Sequence, residues 1–328
     1  MAKKAKRGKG LNIWPVYLLL VVIFALYVYF QHVQTLSMVL GVALFFVIAV
    51  IIALELIDSI KEGDYVRNFL ELAIAIGVIL LFWFALKFVL NTNYPLDVVP
   101  SCSMLPNLHR GDMILLQGTG GAAGIKAPVI DVSAAAYNSM VNNLSSEQLL
   151  CVAYRTANGA TNVSQMLEPN YSIGLYENVA GRESIVPQGS QTGLITYTCG
   201  IRKLQFSNGT VESEVYTSAI TIAGTTIIGD ANNSRVVYQT VPEDVFYRLG
   251  DMYIVHRVYA TMDVDGNYYA LTKGDNNAEL DIQYGNLPAN MSQVEGKVIA
   301  SVPYLGYLKL ILSNQFSEPA GCDSYPTS

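Results

Sequence analysis

Two serines and a cysteine stand shortly before a methionine in the segment VVPSCSMLPNLHRGD, which covers residues 98–112. A serine hydroxyl is a poor nucleophile near neutral pH, so Ser101 or Ser103 needs a base within hydrogen-bonding distance and usually a third group that orients this base. Cys102 offers the alternative of a cysteine nucleophile paired with a histidine. The chemistry of this segment therefore depends on whether a base and an acid lie elsewhere in the chain.

Histidine suits the role of the base because its pKa lies close to neutral pH. The chain contains three histidines. His32 lies in a short connection between two apolar runs, where a solvated role is expected, and His109 follows Ser103 by six residues in a predicted turn. His256 lies in YIVHRVYA, a pattern typical of a buried strand, where a lone histidine is usually a hydrogen-bonded core residue. The residues that follow His256 make it the candidate base.

The segment LTKGDNNAELD supplies two carboxylates, and the first of them lies 19 residues after His256. Taken alone, Gly-Asp-Asn-Asn is a turn in which an aspartate caps its own backbone. A strand, a hairpin and a turn separate His256 from this segment, so the histidine and either Asp275 or Asp281 can meet at one end of a sheet. We find no CxxC pair or His/Cys cluster, and the sequence predicts neither a metal site nor a cofactor.

The elements that must position these groups are mostly strands. From residue 91 onward, short alternating or β-branched runs are broken by Gly, Asn and Pro, as strands joined by turns are. Asp265-Gly266 is the clearest short hairpin signal, because Gly readily takes the positive φ that such a turn needs. One helix is expected within SAAAYNSMVNNLSSEQLL, residues 133–150.

The first third of the chain has the composition of a membrane anchor. The chain has 328 residues, of which 52% are hydrophobic and 14% charged, and the uncharged runs cover residues 11–30, 36–54 and 72–86. Because a membrane crossing takes about 20 apolar residues, the first two runs qualify outright. The third qualifies if Glu71 and Lys87 reach towards opposite interfaces, and we therefore predict three transmembrane helices. A cleaved signal peptide is the alternative for the first run, although no small-residue cleavage site follows it.

Charge predicts the orientation of this anchor. Five basic residues lie in residues 1–10, and Lys61 and Arg67 lie between the second and third runs, so these parts are expected in the cytoplasm. Three crossings then place everything after residue 90 outside. The net charge of −6 argues against a nucleic-acid partner.

The outer region carries further signs of an external location. Cys151 and Cys199 lie in similar strand-like contexts and are candidates for a disulfide in an oxidising compartment, whereas Cys322 lies in the polar tail and has no assigned partner. Six Asn-x-Ser/Thr sequons give mild support; they begin at Asn143, Asn162, Asn170, Asn208, Asn232 and Asn290.

Four segments, SCSMLPNLHRGD, IVHRV, TKGDNNAELD and GKVIASVPYLGYLKLIL, resemble the ordered sequence boxes of type I signal peptidases of the archaeal and endoplasmic-reticulum branch. In the bacterial branch of that family a lysine precedes the arginine of the second box. Here the matching pair is His256-Arg257. The resemblance therefore implies a Ser-His-Asp arrangement in place of a Ser-Lys dyad.

The resemblance also implies roles for individual residues. Ser103 would be the nucleophile and His256 the general base that later protonates the leaving amine. Asp281 is the first choice for the acidic partner of the histidine, and Asp275 is either a second contributor or the residue that positions the turn.

Two residues near the nucleophile complete the site that the resemblance implies. Ser101 matches a serine whose hydroxyl assists the oxyanion hole in bacterial relatives, beside the backbone N–H of Ser103. Met104, which follows the nucleophile, is assigned to the same oxyanion and substrate-binding group. Family substrates carry small residues at the first and third positions before the cut.

We therefore predict a three-helix membrane anchor followed by a mainly β catalytic domain of the signal peptidase type with a large β-rich insertion. The insertion is expected because His256 lies 153 residues after Ser103, a longer interval than the family usually has. The expected parts are a basic cytoplasmic tail (1–10), the anchor (11–90), the catalytic domain (91–118 and 246–313), the inserted extracytoplasmic module (119–245) and a polar tail (314–328).

The resemblance predicts an integral protein of the plasma membrane that acts on signal-peptide-bearing precursor proteins, beside membrane lipid and with the Sec translocation machinery as a possible partner. Two alternatives stay open. One is a specialised processing peptidase for surface-protein precursors, with the insertion choosing among them. The other is an inactive, membrane-tethered binding module on the same scaffold.

Overall fold

The computed structural model describes residues 13–30, 33–61, 65–144, 148–155, 161–168, 185–186, 194–319 and 321–327. The basic residues 1–10, His32 and the sequon at Asn170 lie outside the described residues.

Three apolar α-helices open the described chain: α1 (Trp14–Tyr29), α2 (Gln34–Lys61) and α3 (Tyr65–Leu90). The span Leu36–Glu55 of α2 has a mean hydropathy of 3.0, and the span Leu72–Leu90 of α3 has one of 2.5. Both are long and apolar enough to cross the hydrocarbon core of a bilayer. Helix α1 has only 16 residues, so two of the three predicted spans reach the required length within the described residues.

The rest of the described chain is mainly β. Its strands, in order, are β1 (Leu96–Val98), β2 (Met113–Gln117), β3 (Val129–Asp131), β4 (Gln148–Arg155), β5 (Thr161–Glu168), β6 (Ile185–Val186), β7 (Ile195–Phe206), β8 (Val211–Ile222), β9 (Thr225–Ile228), β10 (Arg235–Gln239), β11 (Tyr253–Val264), β12 (Asn267–Lys273), β13 (Ala289–Asn290), β14 (Val294–Val302) and β15 (Ser324–Thr327). Short helices α4 (Ala134–Asn143), α5 (Val245–Leu249) and α6 (Tyr307–Leu312) lie between strands.

These strands form three sheets. The largest has the order β1-β2-β14-β10-β11-β12-β13, with antiparallel neighbours, and β3 pairs parallel to β11. A four-stranded sheet has the order β15-β7-β8-β9, and a three-stranded sheet has the order β4-β5-β6. The mainly β architecture expected after the helices is therefore confirmed.

The predicted hairpin at Asp265-Gly266 joins β11 to β12. Val264 pairs with Asn267, so the turn contains only the two residues between them. Both take positive φ, 52° for Asp265 and 84° for Gly266, which is the backbone that keeps the twist of a two-residue hairpin. This turn folds β12 back along β11 and brings the residues after β12 towards His256.

The predicted helix in residues 133–150 is shorter than expected. Ser133 caps α4 by accepting a hydrogen bond from the N–H of Ala136, but the helix ends at Asn143, and residues from Gln148 onward form β4. Strand β4 pairs with β5 over eight residue pairs. These inter-strand hydrogen bonds are tertiary interactions, which local helix propensity does not anticipate.

The range 119–245 does not correspond to a separate sheet. Two of its strands, β3 and β10, lie in the eight-stranded sheet, and β10 is a central strand there between β14 and β11. In addition, β15 of the polar tail pairs with β7. The chain thus leaves the largest sheet after β3 and returns to it at Arg235.

The two larger sheets share an apolar core. Ile195 of β7 and Ile220 of β8 belong to the same buried cluster as Met262 of β11 and Leu271 of β12. Burying an aliphatic side chain of this size stabilises a fold by about 1.5–3 kcal/mol. The four-stranded sheet is therefore packed against β11, which carries His256, and against its neighbour β12.

Two disulfides connect the sheets and the tail. Cys151 of β4 is bonded to Cys199 of β7, which confirms the predicted pair. Cys102 is bonded to Cys322 of the tail, a pair that the sequence did not predict. The alternative of Cys102 as a nucleophile is wrong for this structure, because a sulfur in a disulfide has no thiolate to attack with.

A lysine and a glutamate are buried near the end of β12. Burial lowers the pKa of Lys273 to about 8, with a further contribution from Arg202, and the nearby Glu279 partly opposes this shift. Burial likewise raises the pKa of Glu279 to about 7, against a hydrogen bond from the backbone of Cys151 and the charge of Lys273. Folding therefore changes how strongly both groups hold a proton.

Glu279→Gln is expected to flatten the dependence of stability on pH between 4.5 and 7. The pKa of Glu279 is higher in the folded than in the unfolded chain, so the folded chain holds the extra proton in this range and the free energy of unfolding falls as pH rises. Thermal unfolding of the purified protein across this range measures the slope. Glu212→Gln, which changes an exposed glutamate of β8, is the matched control. Equal slopes in the wild type and Glu279→Gln would contradict the assignment.

Candidate active site

The segment that carries both serines, residues 99–112, runs between β1 and β2. The side chains of Met104 and Leu108 are fully buried and pack into one apolar cluster, while Ser101 and Ser103 are half-buried. Met104 was predicted to belong to the oxyanion and substrate-binding group. Its side chain instead anchors the segment in the core and offers no surface to a ligand.

Ser103, His256 and Asp281 form a continuous row of hydrogen bonds. Ser103 Oγ lies 2.9 Å from Nε2 of His256, and His256 Nδ1 lies 2.7 Å from Oδ2 of Asp281. The histidine and the aspartate are 3% and 2% exposed. Three residues from distant segments thus lie together, in the arrangement by which a carboxylate orients an imidazole and the imidazole accepts the proton of an alcohol.

The carboxylate of Asp281 is oriented by two further side chains. Its Oδ2 accepts hydrogen bonds from Thr272 Oγ1 at 2.6 Å and from the hydroxyl of Tyr238 at 3.0 Å. Burial, followed by the charge of Asp281, raises the pKa of Tyr238 well above its ordinary value, so this hydroxyl stays protonated and donates. Oδ1 of Asp281 has no hydrogen-bond partner among the described residues. All three donors therefore fix one oxygen and one orientation.

Asp275 contacts an arginine. Its two oxygens each lie 2.7 Å from the guanidinium of Arg257, one from Nε and the other from Nη2, and Asn107 donates to the second oxygen at 2.8 Å. Of the two roles considered for Asp275, this geometry supports the one that positions the turn. Through this ion pair, Arg257, which follows His256 in β11, also joins β11 to the turn after β12.

Ser101 lies beside the candidate nucleophile. Its Oγ is 3.2 Å from Ser103 Oγ. A hydroxyl in this position is suited to donate to an oxygen that becomes negatively charged when Ser103 attacks a carbonyl group, and such a donor is worth about 3–4 kcal/mol in an enzyme that depends on it.

Three polar residues of this site were not predicted from the sequence: Tyr238, Thr272 and Asn276. The backbone N–H of Asn276 donates to the carbonyl oxygen of Ser103 at 2.7 Å, and its side chain donates to the carbonyl of Cys102 at 3.2 Å. The only sequence signal was the turn Gly-Asp-Asn-Asn, in which Asn276 is the third residue. No spacing rule connects Tyr238 or Thr272 to Asp281.

The turn approaches the serine so closely that it needs a glycine. A Cβ atom added to Gly274 would lie 2.7 Å from the carbonyl oxygen of Ser103, a distance that requires the backbone to move. Gly274 therefore allows the contact between Asn276 and Ser103.

A cleft of about 590 Å³ opens beside Ser101. One wall is formed by the segment 97–101 and another by residues 250–255 at the start of β11, and residues from α6 and the tail close the third side. Asp251 lines this cleft at an exposed position. Partial desolvation of its carboxyl raises its pKa, and the nearby His256 opposes the shift. Ser101, whose Oγ lies 3.2 Å from Ser103 Oγ, is the lining residue that connects this cleft to the hydrogen-bonded row.

One group of possible metal ligands occurs among the described residues: Cys102, Glu318 and Cys322. Both cysteine sulfurs are joined in the disulfide, which removes the thiolates that a metal would need.

Tyr238→Phe is expected to lower the free energy of unfolding by about 1.5–3 kcal/mol, because it deletes a buried hydrogen bond to a charged acceptor. Tyr259→Phe is the matched control. The hydroxyl of this buried tyrosine on β11 donates to the neutral carbonyl of Ser218, and its loss is expected to cost about 0.5–1.5 kcal/mol. Denaturant unfolding measures both. A smaller loss for Tyr238→Phe than for Tyr259→Phe would contradict a charged Asp281.

Comparison with known proteins gives one partial similarity. No protein-family profile matches the chain, and no solved structure matches it. Among curated proteins, the chain is 33% identical over 87 residues to the signal peptidase complex catalytic subunit SEC11 of Chaetomium globosum. The alignment covers 25% of the chain and 51% of SEC11, so the chain spans about half the length of that relative. Over this stretch the chain is similar to the catalytic subunit of a signal peptidase complex.

Proposed function

We propose that this protein is a membrane-bound serine endopeptidase that removes signal peptides from precursor proteins, with Ser103 as the nucleophile. The row of hydrogen bonds from Ser103 through His256 to Asp281 is the observation that carries this proposal. The partial similarity to SEC11 and the two apolar helices before the β-rich part support it.

The geometry accounts for the chemical steps of such an enzyme. Nε2 of His256 accepts the proton of Ser103 as Oγ attacks the substrate carbonyl, and the same nitrogen then protonates the leaving amine. Asp281 holds Nδ1 as the donor and stabilises the imidazolium while it exists. A water molecule activated by the same histidine then hydrolyses the acyl-enzyme and restores Ser103.

The negative charge that develops on the carbonyl oxygen of the substrate needs hydrogen-bond donors. The hydroxyl of Ser101 and the backbone N–H of Ser103 are the proposed donors, because both belong to the segment that presents the nucleophile. Since the core anchors this segment through Met104, the donors and the nucleophile share one rigid element. Electrostatic preorganisation of this kind supplies a large part of enzymatic rate enhancement.

The cleft beside Ser101 is the proposed binding site for the precursor. Residues 253–255 of β11 pair with β10 on one edge, whereas pairing with β12 starts only at Arg257. In the described pairings, the other edge of residues 253–255 is therefore open to an extended peptide, which would add as a strand. By the family resemblance, small substrate residues at the first and third positions before the cut would face this cleft.

The apolar helices keep the proposed site close to the membrane, where a signal-peptide substrate lies. Ser103 lies 13 residues after Leu90, so even a fully extended connection keeps it within about 45 Å of the end of α3. Tyr27 of α1 donates a hydrogen bond to the carbonyl of Pro303, which brings the helices against the β-rich part. We propose that α1 joins α2 and α3 in a three-helix anchor of the plasma membrane, with the N-terminus cytoplasmic and the β-rich part outside.

The same proposal assigns the partners and the inserted region. Signal-peptide-bearing precursors, delivered by the Sec translocation machinery, would be cut next to membrane lipid. The insertion is proposed to run from the end of β3 to the start of β10, a narrower range than the sequence indicated, because β3 and β10 lie in the sheet that carries His256.

Ser103→Ala and His256→Ala are expected to abolish cleavage while the protein stays folded. Asp281→Asn is expected to lower kcat on the order of 10⁴-fold, because an asparagine favours the wrong imidazole tautomer. Asp275→Asn is the matched control: it changes the carboxylate that contacts Arg257, and we expect a much smaller loss.

The measurement uses purified protein in lipid vesicles with a secretory precursor and a panel of cell-surface precursors. Wild-type cleavage by Ser103→Ala would contradict the proposal, and so would equal losses in Asp275→Asn and Asp281→Asn. Cleavage of the surface precursors alone would favour the specialised processing peptidase, and cleavage of no substrate would favour the binding module.

A further inference from the structure

Arg202 of β7 binds the turn that follows β12. Its guanidinium donates to three successive backbone carbonyls, those of Asp275 at 3.3 Å, Asn276 at 3.0 Å and Asn277 at 3.0 Å. The side chain is 11% exposed and is held in turn by Glu214 of β8, at 2.6 Å from Nε. A planar guanidinium with five N–H donors can satisfy three carbonyls at once, whereas an ammonium group cannot reproduce this geometry.

The same turn holds the main chain of the nucleophile. The N–H of Asn276 donates to the carbonyl of Ser103, and its side-chain amide donates to the carbonyl of Cys102. Gly274 allows the turn to approach this closely. The carbonyls that Arg202 fixes and the N–H that fixes Ser103 thus belong to one four-residue turn.

The polar tail also contacts the turn 274–277 and the segment that carries Ser103. The side-chain nitrogen of Asn276 also lies 2.9 Å from the carbonyl oxygens of Gly321 and Ser324, so its two N–H groups are shared among three carbonyls. Cys322 is bonded to Cys102, and the tail strand β15 pairs with β7, which carries Arg202. The four-stranded sheet therefore reaches Ser103 both through Arg202 and through the tail.

We propose that Arg202 is a positioning residue for catalysis, an inference that rests on the function proposed above. By fixing the turn 274–277, Arg202 fixes the main chain of Ser103 and hence the distance between Ser103 Oγ and His256 Nε2. The inserted β7–β8 hairpin is then part of the apparatus that keeps the nucleophile in place. Positioning errors of about 1 Å at a reacting atom reduce rates by about 10²-fold.

The test compares Arg202→Ala and Arg202→Lys with Lys203→Ala. Lys203 is the neighbour of Arg202 on β7 and contacts Ser213, so its replacement changes one basic residue of the same strand without touching the turn. We expect Arg202→Ala to lower kcat for precursor cleavage, counted per folded molecule, by about 10²-fold, with KM changed less than about twofold. Arg202→Lys is expected to recover only a small part of this loss. Lys203→Ala, the control, is expected to keep the wild-type kcat.

The exchange of the Asn276 backbone amide with deuterium gives a readout that does not depend on activity. This amide donates a hydrogen bond to the carbonyl of Ser103, and loss of that bond exposes it to exchange. We therefore expect its exchange to accelerate about tenfold or more in Arg202→Ala and to stay at the wild-type rate in Lys203→Ala. If the wild type cleaves no precursor, the proposed function fails, but this exchange rate still tests the role of Arg202.

Two results would overturn the inference. The first is wild-type exchange at Asn276 together with wild-type kcat in Arg202→Ala. The second is a loss of kcat that follows only the loss of folded protein, which marks a purely structural residue. If Arg202→Ala does not fold, Arg202→Lys and Glu214→Gln, which removes the charge that orients the guanidinium, are judged by the same two measurements.

Discussion

The buried carboxylate of Asp281 is the constraint on which the polar interior of this protein depends. A carboxylate that is 2% exposed is costly unless donors surround it. Tyr238, His256 and Thr272 supply these donors, and they lie on β10, β11 and β12, three neighbouring strands of one sheet. The order of the central strands and the orientation of the histidine are therefore consequences of the same set of contacts.

A second set of contacts holds Ser103, the proposed nucleophile. The apolar side of the segment 99–112 is anchored in the core through Met104, and its polar side is held by the turn 274–277 and by the disulfide to Cys322. Because this turn leads from β12 towards Asp281, the two sets meet within a few residues. Ser103 and His256 thus lie on separate elements, and the turn 274–277 links the contacts of both. This link keeps the hydroxyl of Ser103 within hydrogen-bonding distance of the imidazole.

Several features were predictable because they depend on local chemistry. A two-residue turn at Asp265-Gly266 follows from the positive φ that the turn requires, and long uncharged runs predict helices. The sequence does not indicate that β3 and β10 lie in the sheet that carries His256, because these two resemble any other short strands until their partners are known. The helix predicted within residues 133–150 is present as α4. Its end was not predictable for the same reason, since pairing with β5 decides the structure of β4.

The sequence by itself determined the chemical groups available: serines in one short segment, a histidine in an apolar strand, two aspartates after a turn, and apolar runs at the start of the chain. Only the tertiary structure decided that Asp281 contacts His256 while Asp275 contacts Arg257, and that Cys102 is bonded to Cys322. It also decided that Tyr238 contacts Asp281 and that Arg202 contacts the turn 274–277. Hydrogen bonds and disulfides depend on distances of a few ångströms between residues far apart in the chain. Strand order and register set those distances, and spacing along the sequence does not.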